Sequence, residues 1–343
     1  MIEYEDGTTV DVPIANKRVL LIDGTNFLHR AFHFAKQAKQ QKSSSHSMLE
    51  QIKGDEEAPK MLDTVSEELK KERTFHNFFS IIAFYAKHHK ADDVIITLDV
   101  SKSWRYHYAN SDQSHTSKIY KGNRNKYMTE EDIVNYEQFK RICADIKDFM
   151  VNHTNIKLVF DDNLEADDII AGFTQFIPNH HYIVVSADQD LTQLISSNVT
   201  VIDPKTNSPR VCDDVEYFMF KKCIRGDIGD NVMSAFPKVR ETRIVKAYED
   251  AFERENMMNH IWKDVNGTEH RVRDIFEENM VMMNLTKQPS HIREIIQTTV
   301  EGAFKAPIIQ VRSANVIWKL GQMKITSLAE VISKYKDQYF WLF

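Results

Sequence analysis

Short apolar runs alternate along the chain with longer amphipathic stretches. Val19-Leu20-Leu21-Ile22, Val94-Ile95-Ile96-Thr97-Leu98, Tyr182-Ile183-Val184-Val185 and the run 199–203 have the length and β-branched content of buried strands. Strands are expected at 18–23, 93–99, 156–160, 182–186 and 199–203. Between them the spacing predicts a helix from near Asn26. A second is expected over roughly 73–89, with Phe75, Phe78, Phe79, Ile82, Phe84 and Tyr85 on its apolar face, a stripe that reads as core. A third is expected at about 130–152, opened by Thr129 as N-cap with Glu130 and Glu131 behind it, and further helices at 164–177 and about 190–196. Strands alternating with helices imply an α/β fold, a mostly parallel twisted sheet covered by helices on both faces. After Pro204 the pattern turns mainly helical, which predicts a first α/β domain, 1–210, with the region of about 101–152 between its second and third strands, and a helical C-terminal subdomain, 211–343. Residues 2–14 alternate weakly around Asp6-Gly7, as a small hairpin would. Residues 36–72 are polar and read as a long mobile insertion, helical in parts.

The apolar runs end in acid. Asp23 follows the first, Asp99 the second, and Asp188 and Asp190 the third. Glu165, Asp167 and Asp168 crowd the start of the helix at 164–177. Acids in a first helical turn suit the positive end of the helix dipole, which explains one or two of them. The carboxyl ends of parallel strands are also where sites form in such sheets. Asp23, Asp99 and Asp188 would converge there with the helix start, and such a pool is stable only with cations to neutralise it. Hard oxygen donors select Mg²⁺ or Mn²⁺.

Composition narrows this picture. The 343 residues carry a formal net charge of −6, which alone argues against a nucleic-acid binder, but basic residues cluster at 118–126 and 238–243. No apolar run approaches membrane-spanning length, and the acidic N-terminus lacks a signal-peptide core. Cys143, Cys212 and Cys223 have no metal-ligand spacing; three sparse cysteines fit a reducing, cytoplasmic setting.

Six segments occur in a telling order: LIDGTN (21–26), LD (98–99), YKGNR (120–124), EADD (165–168), SADQD (186–190) and GDIGDN (226–231). Over about residues 17–243 the chain resembles the phage-type 5′-nucleases. That family includes phage flap endonuclease/5′-exonucleases and phage ribonuclease H, and is akin to the 5′-nuclease domain of bacterial DNA polymerase I. The resemblance implies a structure-dependent 5′-nuclease hydrolysing phosphodiesters with two Mg²⁺ ions, for which Mn²⁺ would substitute. By position, Asp23, Asp99, Glu165 and Asp167 would hold one ion, and Asp168, Asp188, Asp190, Asp227 and Asp230 would surround the other. Lys121 would contact the scissile phosphate, and Arg105 would have a similar task. Arg124 would lie at the base of an arch, about 101–152, that admits single-stranded 5′ ends, and Lys126 would bind DNA.

The resemblance implies DNA with a 5′ flap, nick or fork as partner, or an RNA–DNA hybrid, handled by a monomer. Two departures stand out. The spacing between Trp104 and Tyr120 is longer than usual. After Asp230-Asn231, a glycine-rich helix–hairpin–helix turn is replaced by Val232-Met233-Ser234-Ala235-Phe236-Pro237, so the motif is degenerate and Pro237 removes an amide donor. Phage ribonuclease H shows a similar loss. Lys238, Arg240 and Arg243 would then grip duplex phosphates as point charges.

Two other readings compete. A haloacid-dehalogenase-like phosphatase is suggested by Asp23-Gly24-Thr25, but the position of its nucleophile is Leu21. A non-catalytic DNA-binding accessory would not need the intact acid set. The aromatic terminus, Tyr339-Phe340-Trp341-Leu342-Phe343, either folds back onto the helical region, the favoured reading, or docks a partner such as a sliding clamp or single-strand-binding protein.

Overall fold

Apolar runs that end in acid become the parallel strands of one sheet in the computed structural model of the chain. The structure describes residues 2–3, 9–10, 16–42, 58–111, 114–116, 119–122, 129–306 and 311–343. Two short strands, β1 (Ile2–Glu3) and β2 (Thr9–Val10), pair antiparallel with Ile2 opposite Val10. The expected hairpin is present, although its Asp6-Gly7 turn lies outside the described residues. Next come β3 (Arg18–Asp23), α1 (Gly24–Lys42), α2 (Ala58–His88), β4 (Asp93–Thr97), α3 (Trp104–Ala109), α4 (Glu130–His153), β5 (Lys157–Val159), α5 (Ala166–Phe176), β6 (His181–Val185), a 3-10 turn at Asp190–Leu194, β7 (Val199–Asp203) and β8 (Ser208–Pro209). The chain continues as α6 (Val215–Arg225), α7 (Glu241–Glu249), α8 (Ala251–Met258), the hairpin β9 (Ile261–Lys263) and β10 (Glu269–Arg271), α9 (Val272–Met283), α10 (Ser290–Lys305), α11 (Ser313–Gln322), α12 (Thr326–Lys334) and a terminal 3-10 segment, Lys336–Leu342.

The six strands run in the order β5-β4-β3-β6-β7-β8, parallel except for β8. Side chains alternate between the faces. Leu20, Ile22, Val94, Ile96, Ile183 and Val185 join α1, α2 and α4 in one core, whereas Val19, Leu21, Ile95, Tyr182 and Val184 join α5 and α10 in the other. Each fully buried aliphatic or aromatic side chain here contributes roughly 1.5–3 kcal/mol. Thr129 caps α4 as expected, its hydroxyl accepting from Asp132 N at 3.2 Å while Asp132 Oδ2 accepts from Thr129 N at 3.0 Å.

Several boundaries differ from the sequence-based expectation. The stretch 36–72 is helical at both ends, because α1 runs on to Lys42 and α2 starts at Ala58; 43–57 lie outside the described residues. The second strand ends at Thr97: Leu98 still gives its amide to Val159 O of β5, but Asp99 turns its own away from the sheet ladder, to Thr25 Oγ1. From residue 211 onward the chain is mainly helical. Only α6 to α9 build a core of their own, around Phe220, Ile224, Ile244 and Ile275. The helix α10 covers the sheet face beside α5, and α11, α12 and the terminal segment join the core under α2. The aromatic terminus is therefore packed, as the favoured reading held, but it lies against α2 of the first domain as well as against α11 and α12. Among the described residues no helix is long and apolar enough to cross a membrane.

Candidate active site

Three adjacent strands deliver their acids to one end of the sheet. Asp23 closes β3, and α1 begins at the next residue, with Asn26 N donating to Asp23 Oδ1 at 3.0 Å. Gly24 is required at this junction: a Cβ would meet Thr97 O at 2.6 Å. Just beyond β4, Asp99 Oδ1 accepts from Ala166 N at 2.8 Å, in the first turn of α5. Beyond β6, Ser186 donates to Asp23 Oδ2 at 2.8 Å and accepts from Asp188 N at 3.0 Å, so one hydroxyl sets the relation between two acids. Asp188 Oδ1 then accepts from Asp190 N at 2.8 Å.

From the helical region, the loop after α6 adds Asp227 and Asp230. Gly226 ends α6 at φ +68°, where a Cβ would strike Met233 at 2.6 Å. Asp227 and Val232 then exchange backbone bonds of 3.1 and 2.7 Å. In this degenerate helix–hairpin–helix element, α6 and α7 flank a turn in which Asn231 and Lys238, at φ +59° and +58°, take the left-handed conformation usually given to glycine. Lys238, Arg240 and Arg243 are exposed on it. Arg124 and Lys126 lie outside the described residues.

A cavity of about 220 Å³ gathers eight of the nine expected carboxylates, namely Asp23, Asp99, Glu165, Asp167, Asp188, Asp190, Asp227 and Asp230, together with Arg105 and Lys121. The ninth, Asp168, stands behind it. Arg105 takes both its oxygens, at 2.7 and 2.8 Å, and Trp104 Nε1 donates to it at 3.0 Å. Arg105 also donates to Met282 O at 2.7 Å and to Glu165 Oε2 at 3.3 Å. Its guanidinium thus works as an anchor under the acids. Asp168 also serves the start of its own helix, as an acid in a first turn can, since Asp168 Oδ2 accepts from Glu165 N at 3.2 Å.

Cations and acids interleave around the cavity. Lys121 Nζ donates to Glu165 Oε1 at 2.7 Å, and Tyr120 OH bridges Glu165 and Asp230 at 3.1 and 3.0 Å. Lys222, which sequence reasoning missed, reaches Asp190 at 2.6 Å and Asp227 at 2.9 Å. It is one of a lysine pair on an ordinary amphipathic helix, and nothing in the local pattern marks it. His29, also missed, lines the cavity and stacks on Phe139 with centroids 4.1 Å apart. Arg210 clamps the acid-bearing loop by donating to the carbonyls of Ser186 and Asp188.

The electrostatics are those of crowded buried acids. Burial, with help from Asp99, pushes Asp23 up to about 7, and burial pushes Asp190 up to about 6 in spite of Lys222. Burial likewise raises Asp99, and raises Asp167 strongly. Burial alone would raise Glu165 too, but Arg105 and Lys121 hold it below the usual carboxylate range; Lys222 does the same for Asp227 against its burial.

Among the described residues, no group of three or more His, Cys, Asp and Glu side chains is arranged to hold a metal ion as it stands. The chemistry of the donor set nevertheless suits a hard divalent cation: every acid offers only oxygen, and burial raises the pKa of four of them, a penalty that a bound cation would relieve.

The chain is similar in fold to a variant of the bacteriophage T5 D15 flap endonuclease, solved as a pseudo-enzyme-product complex with DNA and metal ions. The TM-score is 0.55 at 18% identity, over 92% of this chain and 100% of that one. The T5 D15 protein co-crystallised with metal ions gives a TM-score of 0.49 at 17% identity over 93% and 99% of the two chains. No curated protein matches the chain in sequence. Residues 18–222 match the family model of the 5′-3′ exonuclease N-terminal resolvase-like domain. With that match spanning more than half of the sequence, the chain belongs to the 5′-3′ exonuclease family and is a 5′-nuclease.

Proposed function

We propose that the chain is a Mg²⁺-dependent, structure-selective 5′-nuclease that cleaves phosphodiesters at 5′ flaps, nicks or forks in DNA, and in RNA–DNA hybrids. The observation that carries this reading is the cavity in which eight carboxylates from the end of β3, the loops after β4, β6 and α6, and the start of α5 surround Lys121. Asp23, Asp99, Glu165 and Asp167 would hold one ion and Asp188, Asp190, Asp227 and Asp230 the other, with Mn²⁺ able to replace Mg²⁺. Two such ions supply charge neutralisation at the scissile phosphate and lower the pKa of water.

The rest of the work falls to the protein. Lys121 offsets negative charge on the reacting phosphate, an interaction that strengthens as charge builds in the transition state. Ser186, Tyr120 and Arg210 orient the acids through the bonds described above. Lys238, Arg240 and Arg243, exposed beside the turn after α6, grip the duplex backbone without reading its sequence. A protein of the same fold is known in complex with DNA and metal ions, which supports DNA as the partner and metal dependence.

The test is cleavage of a 5′-labelled flap, a nicked duplex and an RNA–DNA hybrid, with and without Mg²⁺, reading product lengths. Mg²⁺-dependent products released from the 5′ end are expected. Binding of all three substrates without cleavage in Mg²⁺ or Mn²⁺ would leave only a DNA-binding accessory.

A further inference from the structure

The turn that presents Lys121 depends on a distant part of the chain. Lys121 has φ +57°, a conformation that costs a residue with a side chain about 1–2 kcal/mol. Within the turn one bond closes the backbone, Gly122 N to Ile119 O at 3.0 Å. Two more bonds come from a loop distant in sequence: Asn231 Nδ2 donates to Ile119 O, 112 positions away, at 2.9 Å, and Lys121 N donates to Asp230 O at 2.9 Å. These bonds offset the cost of the left-handed lysine.

The loop that supplies them is itself rigid. Asp227 and Val232 are cross-bonded, and Asp227 Oδ1 accepts from Gly229 N at 2.7 Å and from Asp230 N at 3.2 Å. Asn279 Nδ2 ties the following strand of chain to α6, donating to Met233 O and Cys223 O at 2.8 Å each. Asn231 sits at φ +59°, which asparagine tolerates better than other residues with side chains. The approach to the turn is fixed as well. Ser114 Oγ and His115 N both donate to Glu278 of α9 at 2.7 Å, inside the stretch that is longer than the family spacing.

We infer that Asn231 is a positioning residue for Lys121. Its carboxamide holds the Ile119 carbonyl and so fixes the left-handed turn from which Lys121 enters the cavity, linking that cation to the duplex-facing segment that carries Lys238. Lys121 Nζ, at 2.7 Å from Glu165, is then placed by a loop whose other end lies on the DNA side. Two substitutions isolate the role. Asn231→Gly keeps the backbone conformation and removes the donor. Asn231→Asp keeps the size and sets a carboxylate against a carbonyl oxygen, which repels it.

The inference rests on the nuclease reading, and the test separates the two. Single-turnover cleavage of a 5′-flap is measured with the full chain carrying Asn231→Gly, Asn231→Asp, Lys121→Ala and each Asn231 change combined with Lys121→Ala. Substrate affinity and the Mg²⁺ concentration for half-maximal rate are measured alongside. Each Asn231 change is expected to slow cleavage about tenfold or more with affinity and Mg²⁺ requirement unchanged, and to cost less than about twofold once Lys121 is alanine. Additive losses, a wild-type rate, or a raised Mg²⁺ requirement pointing to neighbouring Asp230 would each overturn it. If the wild-type chain cleaves none of the substrates, the nuclease reading fails instead. Should Asn231→Gly not fold, the Asn231→Asp cycle decides alone.

Discussion

Arg105 holds both carboxylate oxygens of Asp168, at 2.7 and 2.8 Å, with Arg105 only 2% and Asp168 0% exposed. The pair ties α3 to α5, and through Met282 O it ties both to the end of α9. A buried pair of this kind does its damage when one partner is removed, because the other charge is stranded. Asp168→Asn is therefore expected to destabilise the fold by about 3–5 kcal/mol, read as a lower midpoint in urea denaturation. An Asp168→Asn protein with wild-type stability but no metal-dependent cleavage would return Asp168 to the ligand set.

Asp188→Asn should behave in the opposite way. Asp188 lines the cavity, and its charge helps to push Asp23 upward. Removing that charge is expected to leave metal-free stability unchanged or slightly higher. It should also slow single-turnover cleavage by at least about a hundredfold while substrate affinity is retained. Asp167→Asn is expected to give the same activity loss. Wild-type turnover by either variant at limiting Mg²⁺ would refute the assignment.

The raised acids set a pH dependence with a definite sign. Asp23 shifts from 3.8 to about 7 and Asp190 from 3.8 to about 6, both chiefly through burial. Between the unfolded and folded values the native protein binds more protons than the unfolded chain, so stability falls as pH rises from about 4 to about 7. Glu165 and Asp227, whose values are lowered, act the other way, but their gain is complete just above their ordinary range near pH 4 to 5. In a chelator the melting temperature should thus be lower at about pH 8 than at about pH 5, and Mg²⁺ should raise it more at the higher pH. Equal Mg²⁺ stabilisation at both values would mean that the ion does not bind the titrating acids.

Much of this arrangement was legible in the sequence because strands buried on both faces read as unbroken apolar runs. The acids that close β3, β4 and β6 therefore marked the site end of the sheet. The division of labour among those acids was not legible. Asp168 and Asp167 are adjacent and chemically alike, and only the helical turn gives Asp168 both close bonds to Arg105 while Asp167 lines the cavity, 3.7 Å from the same guanidinium. Lys222 was missed for a related reason: its partners, Asp190 and Asp227, lie 32 positions before it and 5 after it, with no periodicity to connect them. The start of α2 at Ala58 was also hidden, because a polar sequence of helix formers such as Ser66-Glu67-Glu68-Leu69-Lys70-Lys71-Glu72 carries little apolar periodicity.

Lys238, Arg240 and Arg243 are exposed around the turn that joins α6 to α7. If they neutralise duplex phosphates, replacing all three with alanine should flatten the dependence of log K on log salt by up to about three units of slope, without altering sequence preference. Fluorescence anisotropy with a duplex at several salt concentrations measures this. An unchanged slope would place the duplex grip elsewhere on the molecule.

The aromatic terminus gives the last expectation. Trp341 stacks on Phe79, with centroids 6.2 Å apart and planes at 20°. Tyr339 OH lies 3.3 Å from Ser80 Oγ, and Asn155 N donates to Leu342 O at 2.9 Å. Tyr339, Trp341 and Leu342 are buried, and only Phe340 of the four residues 339–342 is exposed. These contacts tie the chain end to α2 and to the residue pair just before β5, so the terminus is part of the core that supports β3 and β4. Trp341→Ala is expected to cost about 3–5 kcal/mol. Deleting 339–343 should lower the melting temperature and, because the sheet carries Asp23 and Asp99, reduce basal flap cleavage at 37 °C as well. A docking peptide would behave otherwise: its removal would leave stability and basal cleavage at wild-type levels and affect only activity stimulated by a partner. That outcome would contradict the packing seen around Trp341.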